Sequence, residues 1–276
     1  MRFRTEVSLP KSPFLLDAAE RMLFVGSCFA ANIGQKLVDG RFPAVVNPYG
    51  TMYNPVSILH TVERWVRERQ GDCSEQHGWP RTVVFTLGTS HVYRLRETGE
   101  IVDNCEKRPQ RLFSEEDLSV DQCAEALRRA VGCLRDVVPD VRVILTVSPI
   151  RYQKYGFHES QLAKATLLLA ADRLVKETPE CVSYFPAYEL LNDELRDYRF
   201  YAPDMIHPSE QTVEFIWQKF QSVYFSEQAR QMLAEWQPIA AALAHKPFHP
   251  DNPEYQSFLA TALEKKRAFE EKWNVK

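Results

Sequence analysis

The sequence predicts a doubly wound α/β fold, a mainly parallel sheet of about five strands with helices on both faces. Three features point to it. Continuous apolar runs alternate with segments of helical periodicity along most of the chain. Runs of that kind suit strands buried on both faces, as parallel sheets require. Three of the runs close on Ser27, Gly50 and Gly88, at the carboxyl ends where such sheets bind ligands.

The first strand is "RMLFVGS" (21–27), followed by a helix over "FAANIGQKLVDG" that Gly40 stops. "AVVNPYG" (44–50) is the second strand. Asn54-Pro55 then opens "NPVSILHTVERWVRERQ", a cap followed by proline at the first helical position. "TVVFTLG" (82–88) is a buried strand, and "HVYRLRETGEIV" (91–102) alternates about Gly99 as a β-hairpin insertion. Ser119 to Val137 is helical, "VRVILTVSP" (141–149) a strand, and "ESQLAKATLLLAADRLVKE" (159–177) an amphipathic helix. "VSYFPAYE" (182–189) supplies a fifth strand or its remnant, and a further helix starts near Ser209. From Gln237 the pattern turns to short Pro-broken pieces and a polar helix. Residues 1–236 are therefore expected to form the main domain and 237–276 a helical C-terminal extension.

The 276 residues carry a formal net charge of -3 and are 45% hydrophobic. A chain of this size buries roughly 70–75% of its unfolded surface and needs no staples. Mixed charge without a basic tract argues against a nucleic-acid partner. Met1 to Pro10 is charged and alternating, and no apolar run approaches a membrane span, so a cytoplasmic location is expected. The six cysteines (28, 73, 105, 123, 133 and 181) show no C-x-x-C spacing and read as reduced thiols. His245 and His249 have helical metal-ligand spacing, but Pro247 between them speaks against a helix and a metal site. Neither a phosphate loop nor a dinucleotide glycine fingerprint occurs, so no cofactor is expected.

"MLFVGSCFA" (22–30) ends an apolar run on a serine at the mouth of a helix, where a nucleophile could stand. A serine hydroxyl needs a histidine to take its proton and a third group to orient that histidine. Asp204 and His207 form an Asp-x-x-His turn in which the carboxylate can hold one imidazole nitrogen while the other faces outward. Each feature alone also fits a bland turn; on one predicted sheet they converge.

"GSCFA" (26–30) is the signature of the GSCFA family, grouped with the GDSL/SGNH hydrolases, and this sequence resembles that family elsewhere. The matching stretches are "NPYGTMYNPVSI" (47–58), "TLGTSHVY" (86–93), "VDNCEKRP" (102–109), "SPIRY" (148–152) and "YELLNDELRDYRFYAPDMIHPS" (188–209). The resemblance spans Phe24 to Phe220 and implies a flavodoxin-like three-layer sandwich. It also implies Ser27 as nucleophile with Asp204 and His207 as partners, and backbone N–H groups of Ser27 and Gly50 as oxyanion donors. An asparagine expected in the third block is missing, which leaves Thr89 or Asn104 as a further donor. The implied activity is a serine hydrolase cleaving a small acyl ester, such as an O-acetyl group on a carbohydrate. An O-acyltransferase to a saccharide and a degenerate binding module are the alternatives.

Cys28 is a rival nucleophile, since a thiol at a helix N-terminus can be activated. Neighbouring side chains at such a turn diverge, so only one of the two faces His207. The resemblance favours Ser27 and leaves Cys28 packed beneath the turn. His91 either lines the cleft or pairs within the hairpin. Arg151 meets an anionic substrate group or a carboxylate of the chain. The acidic pair in "NDELRDY" reads as a solvated helix face.

Overall fold

The computed structural model describes residues 4–70, 78–249 and 251–275. Along the chain, β1 (Met22–Gly26) leads into α1 (Cys28–Asp39), β2 (Ala44–Val46), α2 (Pro55–Gln70) and β3 (Thr82–Leu87). An insertion follows, made of β4 (His91–Leu95), β5 (Ile101–Val102) and β6 (Phe113–Asp117). The alternation then resumes with α3 (Val120–Val137), β7 (Arg142–Val147), α4 (Phe157–Glu177) and β8 (Val182–Tyr184). A short α5 (Ala187–Glu189) and an irregular turn lead to α6 (Glu210–Tyr224), α7 (Glu227–Ala244) and α8 (Pro253–Trp273).

The main sheet has the order β2-β1-β3-β7-β8, with every pairing parallel. Successive side chains on a strand point to opposite faces, and both faces are covered. Leu23, Val25, Val83 and Phe85 pack with α2, α3 and α4 in one apolar cluster. Met22, Phe24, Val84 and Ile144 pack with α1, α6 and α7 in another. That is why these strands read as unbroken apolar runs.

Local signals set the helix starts. Ser119 and Gln122 close a capping box ahead of α3, and Ser209 and Ser226 cap α6 and α7. The insertion is larger than the hairpin the sequence suggests. β6 pairs with the free side of β4, from His91 opposite Asp117 to Leu95 opposite Phe113. Its "FSEED" alternates only weakly and carries three acids, so its strand character comes from that partner and not from its own pattern.

The C-terminal region is also more regular than expected. α7 runs without interruption through Pro238, so position 236/237 falls inside a helix, and Phe269 of α8 packs on Trp236 with ring centroids 5.0 Å apart. The solvated face expected in "NDELRDY" is corrected at Glu194. Its carboxylate is fully buried, 3.2 Å from Lys219 Nζ, and accepts the Val7 N–H at 3.0 Å. Cysteines 28, 105, 123, 133 and 181 are free thiols, and Cys73 lies outside the described residues. No helix among the described residues is long and apolar enough to cross a membrane.

β1 ends hard against β3. Gly26 has φ +146°, and a Cβ there would stand 2.2 Å from the Thr86 carbonyl oxygen. Only glycine lets the strand close to this distance, and the approach delivers Ser27 N–H to Thr86 O at 3.1 Å and Thr86 Oγ1 at 2.9 Å. Gly26→Ala is expected to destabilise the fold by about 3 kcal/mol or more, because clash and backbone strain act together. A urea-unfolding midpoint within error of the parent would refute this.

Candidate active site at the switch point of the sheet

Winding reverses at β1, with β2 on one side and β3 on the other. The helices that follow β1 and β3 pack on opposite faces, α1 in one apolar cluster and α3 in the other, and a crevice opens between those two strands. Four segments meet there: the β1–α1 turn, the 47–54 loop, the 88–90 turn and the 148–155 loop.

Ser27 is the N-cap of α1. Its Oγ lies 3.1 Å from Thr86 Oγ1 and accepts the Phe29 N–H at 3.3 Å, and the residue is 0% exposed. Among the described residues no hydrogen bond joins Ser27 to His207. A capping side chain folds back over the helix end, and here that turns the hydroxyl inward. Cys28, the first residue of α1, is only half-buried, and the N–H groups of Cys28 and Phe29 reach its sulfur. Ser27 therefore lies buried beneath the turn, and Cys28, expected to be packed there, is half-buried and packs on the apolar cluster behind α1. Burial is the dominant influence on Cys28 and raises its pKa, while Lys164 lowers it and Asp204 raises it further.

Asp204 and His207 do come together. Asp204 Oδ1 accepts the N–H groups of Ile206 (2.9 Å) and His207 (3.0 Å), and Oδ2 accepts from His207 Nδ1 at 2.6 Å. The backbone and ring hydrogen bonds from His207 hold the Asp204 carboxyl down to about 2, with the Ile206 N–H adding to them. With Nδ1 donating to a carboxylate, Nε2 is left as the basic nitrogen. An antiparallel bridge between Tyr201 and Pro208 closes the loop, and Met205 within it takes φ +58°.

This loop sits against the α1 turn. Pro208 and Val213 face Ala31 and Asn32 across a groove, Lys36 Nζ meets Glu214 Oε2 at 2.6 Å, and Cys28 and Ile206 pack on one apolar cluster. The influence of Asp204 on Cys28 agrees with that placement. The Asp204–His207 loop therefore lies beside the start of α1, with Asp204 close enough to act on the Cys28 thiol.

The expected oxyanion donors are mostly engaged elsewhere. Ser27 N–H is donated to Thr86, and Gly50 N–H to Asn47 O at 2.9 Å. Thr89 is buried, and its Oγ1 accepts the His91 N–H at 3.1 Å. Asn104 lies exposed in the insertion, where its Oδ1 accepts the Glu106 N–H at 2.8 Å. His91 has both ring nitrogens 2.9 Å from carboxylate oxygens, of Asp117 and Glu115, and stacks on Tyr155 at 4.0 Å. It pairs within the insertion. Arg151 holds the Asp204 loop, with its N–H on Ile206 O at 3.1 Å and Nη1 on Met205 O at 3.0 Å. Its guanidinium also lines a cavity of about 270 Å³ with Gln161, Asn192, Arg196, Tyr198 and Tyr201.

Two residues at the crevice were missed in the sequence. Lys164 is fully buried on α4 and donates to Gly88 O (2.6 Å) and Ser148 O (2.7 Å), pinning together the ends of β3 and β7. Burial lowers its pKa to about 7, whereas the two carbonyls favour the charged form. The signal was a lysine on the apolar stripe shared with Ala163, Leu167 and Leu174. Tyr152, beside Arg151, projects its hydroxyl to Gly88, and burial pushes the phenol well above its usual range.

Among solved structures, the chain is similar to a carbohydrate esterase family 3 protein from Talaromyces cellulolyticus. Identity is 14% and the TM-score 0.46, over 78% of this chain and 99% of the other. A catalytic mutant of an acetylxylan esterase from Geobacillus stearothermophilus gives 14% identity and a TM-score of 0.46, over 77% and 97% of the two chains. No curated protein matches. The pattern described as GSCFA domain protein, C-terminal domain, matches residues 236–276. The GSCFA family pattern matches residues 21–79 and 68–220, which take in the β1–α1 turn, the crevice loops and the Asp204–His207 loop, and the chain belongs to the GSCFA family.

Proposed function

We propose that this protein is an ester hydrolase of SGNH-like design in which Cys28, and not Ser27, is the nucleophile. The observation that carries this reading is the contrast at the α1 turn: the Ser27 hydroxyl is fully buried as a cap, whereas Cys28 is only half-buried and its thiol feels the Asp204 carboxylate. All the groups invoked lie within residues 1–236.

His207 Nε2 takes the Sγ proton as the sulfur attacks the acyl carbon, and the carbonyl π pair moves onto oxygen. Collapse of that intermediate breaks the carbon–alkoxide bond, and the imidazolium gives its proton to the departing oxygen. Water then attacks the thioester with His207 as base, and Cys28 is released. Asp204 keeps Nδ1 protonated throughout. The imidazole is 45% exposed, so water reaches it, which favours hydrolysis over transfer to a saccharide. The neighbouring cavity, with its tyrosines, amides and arginines, suits a polyhydroxylated alcohol such as a carbohydrate bearing a small acyl group.

Brief exposure to p-nitrophenyl acetate followed by peptide mass mapping tests the assignment. An acetyl group on Cys28, released by neutral hydroxylamine as a thioester should be, is the expected result. Acetylation at Ser27, or no adduct at either residue under steady turnover, would overturn it.

A further inference from the structure

The Tyr152 hydroxyl is buried and has no hydrogen-bond partner. Leaving such a donor unpaired is unfavourable, so its position asks for a reason. The ring is held on several sides. Lys164 Nζ lies 5.1 Å from its centroid, Tyr155 stacks at 6.2 Å, and Tyr53 meets it edge-on at 6.3 Å. Its backbone N–H donates to Ser160 Oγ at 3.2 Å.

The fixed ring aims Oη at Gly88, the residue that follows β3 at the switch crevice. A Cβ on Gly88 would stand 2.4 Å from Oη and 2.9 Å from Tyr53 O, so the hydroxyl occupies space that only a glycine leaves open. Lys164 holds that glycine's carbonyl, and Tyr53 O takes the N–H groups of Gly88 and Thr89, both at 2.8 Å. The turn is rigid around an idle donor. Cys28 also acts electrostatically on the Tyr152 phenol, which agrees with their facing one crevice.

We propose that the Tyr152 hydroxyl is a catalytic donor that binds the acyl oxygen of the substrate during attack by Cys28. This rests on Cys28 being the nucleophile. As the S–C bond forms, the π pair moves to the carbonyl oxygen, and Tyr152 donates a hydrogen bond to that oxygen while keeping its proton. When the intermediate collapses the oxygen regains its double bond, and the hydrogen bond relaxes. Tyr53, 41% exposed and edge-on to Tyr152, is the ring that must swing aside for a carbonyl to enter. The role fills the gap left by Gly50, whose N–H is donated to Asn47, and by Asn104, which lies out in the insertion. The donor stays protonated at every working pH, because burial raises the phenol further.

Tyr152→Phe retains the ring and deletes only the donor. Single-turnover acetylation of Cys28 by p-nitrophenyl acetate is expected to slow about 100-fold. Alkylation of Cys28 by iodoacetamide, which builds no oxyanion, keeps the parental rate, and the melting temperature does not fall. Acetylation of Cys28 at the parental rate in the variant overturns the inference and leaves the thiol mechanism standing. A matching loss in both reactions places the hydroxyl on the thiol instead and also overturns it. Failure of the parent protein to acetylate Cys28 removes the mechanism itself, and the inference with it.

Discussion

Cys28→Ala is expected to lower kcat/KM for p-nitrophenyl acetate by about ten-thousand-fold or more, with little change in melting temperature. Ser27→Ala should do the reverse. The Cys28 side chain is half-buried at the first position of α1, so removing its sulfur costs little packing, but it deletes the atom that forms the covalent bond. Ser27 Oγ accepts the Phe29 N–H and bonds to Thr86 Oγ1 in a fully buried pocket. Losing such a cap is worth about 1–2 kcal/mol of stability. Ser27→Ala should therefore unfold at lower urea and retain much of its activity per folded molecule. If Ser27 were the nucleophile, the two variants would exchange phenotypes. Paired kinetics and denaturation on both proteins read out the difference in one experiment.

The same pair of residues marks where the sequence was legible and where it was not. β1, β3 and β7 stood out because burial on both faces makes most of their positions apolar, and the alternation with amphipathic helices fixed their parallel sense. β6 did not stand out, since it is an acidic edge strand formed by its pairing with β4. At the site, the Asp204–His207 pair was readable because the interaction is local: three residues of spacing suffice to close the carboxylate on Nδ1. The burial of Ser27 was not readable in the same way, because it depends on Thr86, fifty-nine residues away, which holds the serine hydroxyl inward. Serine's preference for the N-cap was the available clue. The engagement of the Gly50 N–H was hidden for a related reason, since it depends on a turn closing back on Asn47. Lys164 and Tyr152 act through strand ends brought together only in the fold.

Asp204→Asn should cost about 10³- to 10⁴-fold in kcat/KM at neutral pH, on the scale seen when a catalytic histidine loses its carboxylate. The reason is the tautomer. In the parent, a carboxylate held down to about 2 remains ionised at every working pH and keeps the proton on Nδ1. An asparagine whose Oδ1 still accepts the N–H groups of Ile206 and His207 turns its Nδ2 toward the ring, and that amide donates to Nδ1. The proton then resides on Nε2, and the base is lost. The pH dependence separates this from simple damage. Cys28 titrates above the ordinary thiol value because it is buried, so without a base its thiolate is scarce at neutrality and grows about tenfold per unit as pH rises toward that value. Activity of the variant should climb steadily with pH, tracking alkylation of Cys28 by iodoacetamide, while the parent, whose base takes the thiol proton, should not follow that alkylation. A variant with parental activity at neutral pH, or one with a flat residual rate at all pH values, would show that Asp204 does not act through His207.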